Sequence, residues 1–240
     1  MLVFEGGSKL HGAKLEGHDD TDWYGLYAEP PEKILGTDAY EHFVHTTGGQ
    51  RGGNTADDVD VTLYSLRKWA QLACKGNPSV LHFLFAPAER TPFNHYFWAR
   101  LAQNRDKFVA KYHLGQFLGY ANAQLRRLYN QRGGKDCNRP FLEEQFGYDT
   151  KYAMHIIRLL GEAKELMETG KITLPRPNAA ELIGIREGKH KLYEFEGWAN
   201  QLEKEALAAR EVSPLPATVD RALISKLIAN TYRDFWEEKE

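Results

Sequence analysis

The sequence predicts an α+β chain, with strands and helices mixed to about residue 90 and helices alone beyond it. Three observations carry this. Short apolar runs crowd the front, at Leu2–Phe4, Trp23–Tyr27 and Val59–Val61. Runs of that length, rich in β-branched and aromatic residues, read as strands. Beyond residue 90 the apolar residues recur at helical spacing instead. The composition is 42% hydrophobic and 27% charged with a mean hydropathy of −0.56, which excludes disordered, collagen-like and coiled-coil classes.

Leu2–Phe4 stops at Gly6-Gly7-Ser8, and Lys9–Leu15 is expected to form a short helix. Trp23–Tyr27 runs on to Pro30-Pro31. From Gly36 to Asp57, with Gly48-Gly49 and Gly52-Gly53, the chain reads as a long mobile loop. Val59–Val61 is a brief strand. Leu63, Leu66, Ala70 and Ala73 then predict a helix from Thr62 to Lys75, stopped by Gly76-Asn77-Pro78. Val80–Phe85 is too short and too uniformly apolar to assign. Helices follow over Phe97–Tyr112, Phe117–Tyr129, Thr150–Thr169, Glu194–Arg210 and Val219–Phe235. Gly170 ends the third, and Ser213-Pro214-Leu215-Pro216 separates the last two. There is no internal repeat. The expected division is 1–90 and 91–240.

No apolar run approaches the roughly 18–20 residues that span a bilayer. The start, Met1 to Gly7, has neither a basic cluster nor a long apolar stretch, so no signal peptide is expected. Cys74 and Cys137 read as two reduced thiols, and a cytoplasmic location is expected. The net charge of −2 hides an asymmetry: residues 1–60 carry −8 and the rest +6.

Asp20 and Asp22 are two apart, so in a strand both leave the same face. Asp60, between Val59 and Val61, also suits a strand. Converging carboxylates repel unless a cation neutralises them, and magnesium prefers such hard oxygen ligands. Gly6-Gly7-Ser8 before a short helix would present backbone N–H groups to a phosphate. It is not a P-loop, because Ala13 stands where the lysine belongs. Each piece also has an ordinary reading: a tight turn for the glycines, solvated surface for the aspartates, and a loop tail for Asp57-Asp58 beside Asp60.

The ordered set Gly7-Ser8, Asp20-x-Asp22, Asp60 resembles the DNA polymerase beta nucleotidyltransferase superfamily. The longer strings Gly7-Ser8-Lys9-Leu10-His11-Gly12 and His18 through Gly25 are similar to one branch, the predicted nucleotidyltransferases linked to RNA repair in bacteria and their phages. Leu66-Arg67-Lys68, Asn77-Pro78, Lys151-Tyr152-Ala153 with His155 and Arg158, and Ser213–Pro216 extend the resemblance. One departure is Asp19, where the family has serine. The resemblance implies a mixed sheet with flanking helices as a catalytic core, followed by a helical domain contributing to nucleotide and acceptor binding. It implies Asp20, Asp22 and Asp60 as magnesium (or manganese) ligands, with Asp60 as the base for an attacking hydroxyl. Gly7, Ser8 and Lys9 are expected at the nucleotide. The activity implied is transfer of a nucleoside monophosphate from an NTP, such as ATP, to a hydroxyl acceptor, with an RNA or tRNA end favoured.

Lys151, His155 and Arg158 lie at i, i+4 and i+7, one stripe of a helix. Beside the carboxylates, this stripe is expected to meet a triphosphate or nucleic acid, with Tyr152 stacking on a base or packing. Arg126-Arg127 and Arg132 are weaker candidates for an acceptor. Two other readings stand: a non-catalytic nucleotide or RNA binding module on this fold, and a histidine-metal phosphohydrolase using His11, His18, His42 or His45.

Overall fold

A computed structural model of the chain describes residues 1–15, 17, 19–38, 40–48, 55, 57–130 and 139–238. In chain order the elements are β1 (Leu2–Glu5), α1 (Gly7–Leu10), β2 (Thr21–Tyr27), α2 (Pro31–Leu35), β3 (His42–Thr46), β4 (Val59–Ser65), α3 (Leu66–Cys74), α4 (Pro78–Leu81), β5 (Phe93–Asn94) and α5 (Tyr96–Ala102). Then come α6 (His113–Asn130), α7 (Pro140–Phe146), α8 (Thr150–Thr169), α9 (Ala179–Arg186), α10 (Leu192–Val212) and α11 (Arg221–Glu237). The fold class is the expected one, a mixed sheet with flanking helices and a helical region behind it.

The chain divides into two compact units, Met1–Val109 with Thr218–Glu240, and Ala110–Ala217. This division differs from a cut at residue 90. The reason is packing: Trp98 of α5 meets Trp69 of α3 edge-on at 4.9 Å, and Arg100 of α5 pairs with Asp234 of α11. Both α5 and α11 therefore belong with the sheet.

In the first unit the strand order is β3-β4-β2-β1-β5. β2 and β4 run parallel, with Asp22 level with Asp60, and the other pairs are antiparallel. Leu2, Phe4 and Leu26 leave one face of the sheet into a core with Leu66, Trp69 and Phe83. β4 runs on to Ser65, so the helix expected from Thr62 begins only at Leu66. Val61–Tyr64 pair along β2, and the Ser65 side chain caps α3 by accepting from the Lys68 N–H. The expected loop holds a strand as well: Phe43 and Val44 pair with Leu63 and Thr62 of β4. The helix expected over Phe97–Tyr112 ends at Ala102 and gives way to a 3-10 turn at Arg105–Phe108.

In the second unit α8 is central and packs against α6, α9 and α10. Its bounds match the sequence reading because both caps are local. Asp149 accepts from the Lys151 and Tyr152 N–H groups, and Gly170 ends the helix in the left-handed region. Ile157, Leu166 and Met167 are fully buried, as is Phe195 of α10. Cys74 is a buried free thiol, while Cys137 lies outside the described residues. Among the described residues no helix is long and apolar enough to cross a membrane.

Candidate active site

Parallel register builds the carboxylate group. Asp22 and Asp60 stand side by side at the starts of β2 and β4, about 4.8 Å apart as neighbouring strands are. Asp20 precedes Asp22 by two residues and shares its face. Each of Asp20, Asp22 and Asp60 offers an oxygen, and these oxygens lie within 4.8 Å of one another. Three half-buried carboxylates at that spacing repel, and a hard divalent cation is the ligand that such an all-oxygen set accepts.

The turn that opens α1, at Gly6 and Gly7, is shaped around the same carboxylates. The Gly6 N–H donates to the Asp22 backbone oxygen at 2.8 Å. Gly7 has φ +57, and a Cβ there would stand 1.8 Å from the Asp22 carboxylate oxygen. Only glycine fits so close to that carboxylate in that conformation. The turn is thus brought directly against the acidic group, as a phosphate-holding turn beside a metal would need to be.

Asp19 has a different task. It is buried, and one oxygen accepts from the Ser8 hydroxyl at 3.1 Å and the Leu15 N–H at 2.8 Å. It ties α1 to the approach of β2, and the Ser8 hydroxyl is engaged there. Asp58 is tied too, accepting from the Thr55 N–H and hydroxyl and from Thr47. Those donors, Thr55 first, lower its pKa. Neither Asp19 nor Asp58 belongs to the group of converging oxygens.

Lys9 pairs with Glu5 at 2.6 Å, and Arg90 reaches the same carboxylate at 3.2 Å. Two cations thus share one anion at the edge of the turn. Sequence reasoning missed Arg90, which lies 85 residues from Glu5 with no motif to mark it. His11 and His82 are buried, with their rings edge-on at 4.7 Å. His42 and His45 sit exposed on β3, and His18 lies outside the described residues.

In the second unit, α8 carries the expected stripe. Lys151, His155 and Arg158 are half-buried. Arg158 pairs with buried Glu162 at 2.9 Å. The Arg139 guanidinium lies 4.6 Å above the Tyr152 ring and 3.1 Å from Asp149. Tyr152 itself is buried, so it packs, with Arg139 over one face. Withdrawal from water holds the His155 imidazole well below its ordinary value, helped by Arg158, Lys151, Arg139 and Arg186. Of the stripe, then, His155 is the member left neutral at neutral pH. Arg139 and Arg186 are additions that helical periodicity does not reveal, since neither lies on α8. Arg126 and Arg127 are exposed on α6, and Arg132 lies outside the described residues.

An uncharacterized 38.9 kDa protein in the nrdC-mobD intergenic region of Enterobacteria phage T4 is 29% identical over 131 residues, 54% of this chain and 38% of that protein. The match therefore spans well under half of the phage protein's length. No solved structure gives a significant match. The profile of RlaP, the RNA repair pathway DNA polymerase beta family, matches residues 1–225. With that coverage, and with Asp20, Asp22 and Asp60 assembled beside the Gly7-Ser8 turn, the chain belongs to the RNA repair pathway DNA polymerase beta family.

Proposed function

We propose that this chain is a metal-dependent nucleotidyltransferase that moves a nucleoside monophosphate from an NTP to a hydroxyl acceptor, with an RNA end, tRNA included, as the favoured acceptor and pyrophosphate as the product. The observation that carries the reading is the convergence of Asp20, Asp22 and Asp60 within 4.8 Å, against a turn whose Gly7 leaves no room for a side chain. The donor set fits magnesium or manganese. Bound there, a pair of such ions would neutralise charge on the attacking and leaving oxygens. Asp20, Asp22 and Asp60 would hold them, and Asp60 would also take the proton of the acceptor hydroxyl. Gly7 and Ser8 would offer backbone N–H groups to the phosphates, with Lys9 and Arg90 supplying positive charge at the turn's edge. In the second unit, Lys151 and Arg158, with His155 and Tyr152 around them, are proposed to contact nucleotide or acceptor phosphates. The reaction is proposed to take place in the cytoplasm.

The test is incubation with each labelled NTP, magnesium or manganese, and total RNA, with the label followed by gel. The expected outcome is metal-dependent transfer to RNA, reduced at least about 1,000-fold in Asp22→Asn, roughly 4 kcal/mol of barrier. Full activity in that variant would sink the assignment. NTP binding without magnesium dependence and without transfer would favour a binding module instead.

A further inference from the structure

A second feature of the first unit lies away from the carboxylates. Helices α3 and α11 flank a groove of about 540 Å³. They run antiparallel: the Arg67 N–H at the start of α3 donates to the Tyr232 hydroxyl near the end of α11, whereas Cys74 at the end of α3 feels the charge of Arg221 at the start of α11. Asp60 lies at the opposite end of β4 from α3, roughly 17 Å along the strand, so the groove is separate from the proposed catalytic group.

The floor is apolar, made by Ala70, Ile224, Ile228 and Trp236, and among the described residues no aspartate or glutamate lines the groove. Arg67 and Arg233 stand at one end and Arg221 at the other. None of these three forms an ion pair among the described residues. On α11, Arg221, Ser225, Ala229 and Arg233 share an exposed stripe at four-residue spacing. The stripe runs about 18 Å from one arginine to the other.

We infer that this groove receives an amphipathic helix of a partner protein, with an apolar stripe on the floor and acidic side chains in its first and last turns. Charge complementarity carries the choice. Guanidinium groups at both ends match carboxylates spaced some twelve residues apart, about three turns of helix. A compact anion reaches only one end. A nucleic-acid strand carries a charge at every nucleotide, but the middle of this groove offers isoleucine, alanine and serine. Small residues at 225 and 229 also allow close approach of a helix backbone.

The probe is a labelled 15-residue helical peptide with leucines at helical spacing and glutamates in its terminal turns, titrated with the full chain by anisotropy. A counterpart with lysines for the glutamates is the control. Saturable binding is expected, at least about tenfold tighter for the acidic peptide. The Arg221→Glu/Arg233→Glu variant should reverse that preference, and Ala229→Trp, which fills the groove, should abolish binding. Circular dichroism and melting establish that both variants fold, and the charge reversal, on exposed positions, stands alone if Ala229→Trp does not. Equal affinity for both peptides, no binding, or binding unchanged by the charge reversal overturns the inference. So would preference for a 15-nucleotide RNA that is lost in the same charge-reversed variant.

Discussion

The two charged clusters of this chain are assembled in opposite ways. In the first unit, three carboxylates of one sign are brought within 4.8 Å by strand register. In the second, signs alternate: Arg139 with Asp149, Arg158 with Glu162, and a neutral His155 among the cations. A mixed cluster offsets its own charges, so its members hold the fold as well as any ligand. A same-sign cluster at that spacing is offset best by a cation taken from solution, so its members should matter for chemistry more than for folding.

The sharpest test of that contrast is stability. Arg158→Met removes the guanidinium bonded to the fully buried Glu162, and should lower stability by an amount on the order of 1–3 kcal/mol in urea melts. Asp22→Asn, the variant expected to lose transfer, should leave stability unchanged or slightly raised, because it relieves repulsion. If Arg158→Met melts like the parent, the second cluster is not structural. If Asp22→Asn unfolds, the carboxylates hold the fold and the contrast collapses.

A further effect belongs to the turn. Gly7→Ala puts a methyl 1.8 Å from the Asp22 carboxylate oxygen at a φ of +57. A cost of about 1–3 kcal/mol is expected from the strain and displaced carboxylate. Magnesium should then raise the melting temperature less than it does for the parent. An equal magnesium response in Gly7→Ala would separate the turn from the acidic group.

Much of this contrast is legible in the sequence, and unevenly so. Asp20, Asp22 and Asp60 could be read because a two-residue spacing fixes a shared face, and an ordered motif named the third member. Asp149 and Gly170 marked the ends of α8 because capping is local. Arg90 and Arg139 were not legible: each finds its carboxylate through the tertiary fold, with no periodicity to carry the signal. Asp19 was ambiguous for the same reason, until the Ser8 and Leu15 donors showed its task. β3 was hidden by the glycines after it, since pairing with β4 rather than local preference makes the strand. The overextended helix before Leu66 had the opposite cause, an apolar spacing that suits both a helix and β4.

The last test concerns His155, whose pKa lies well below 6.5 in the fold because of burial and four nearby cations. Unfolded, the imidazole titrates near 6.5. Between the two values the unfolded chain binds the extra proton, so stability is full above pH 6.5 and falls as pH drops. The slope approaches about 1.4 kcal/mol per pH unit. Urea melts from pH 7.5 to 5.5 should show stability falling toward the acid end, and His155→Gln should lessen that fall. A bound polyphosphate works against the same cations. Adding ATP should therefore raise the His155 titration midpoint, followed by NMR of the imidazole, if Lys151 and Arg158 hold phosphate. A midpoint unmoved by saturating ATP would leave the mixed cluster as a support of the fold alone, and would assign phosphate recognition to Gly7, Lys9 and Arg90 in the first unit.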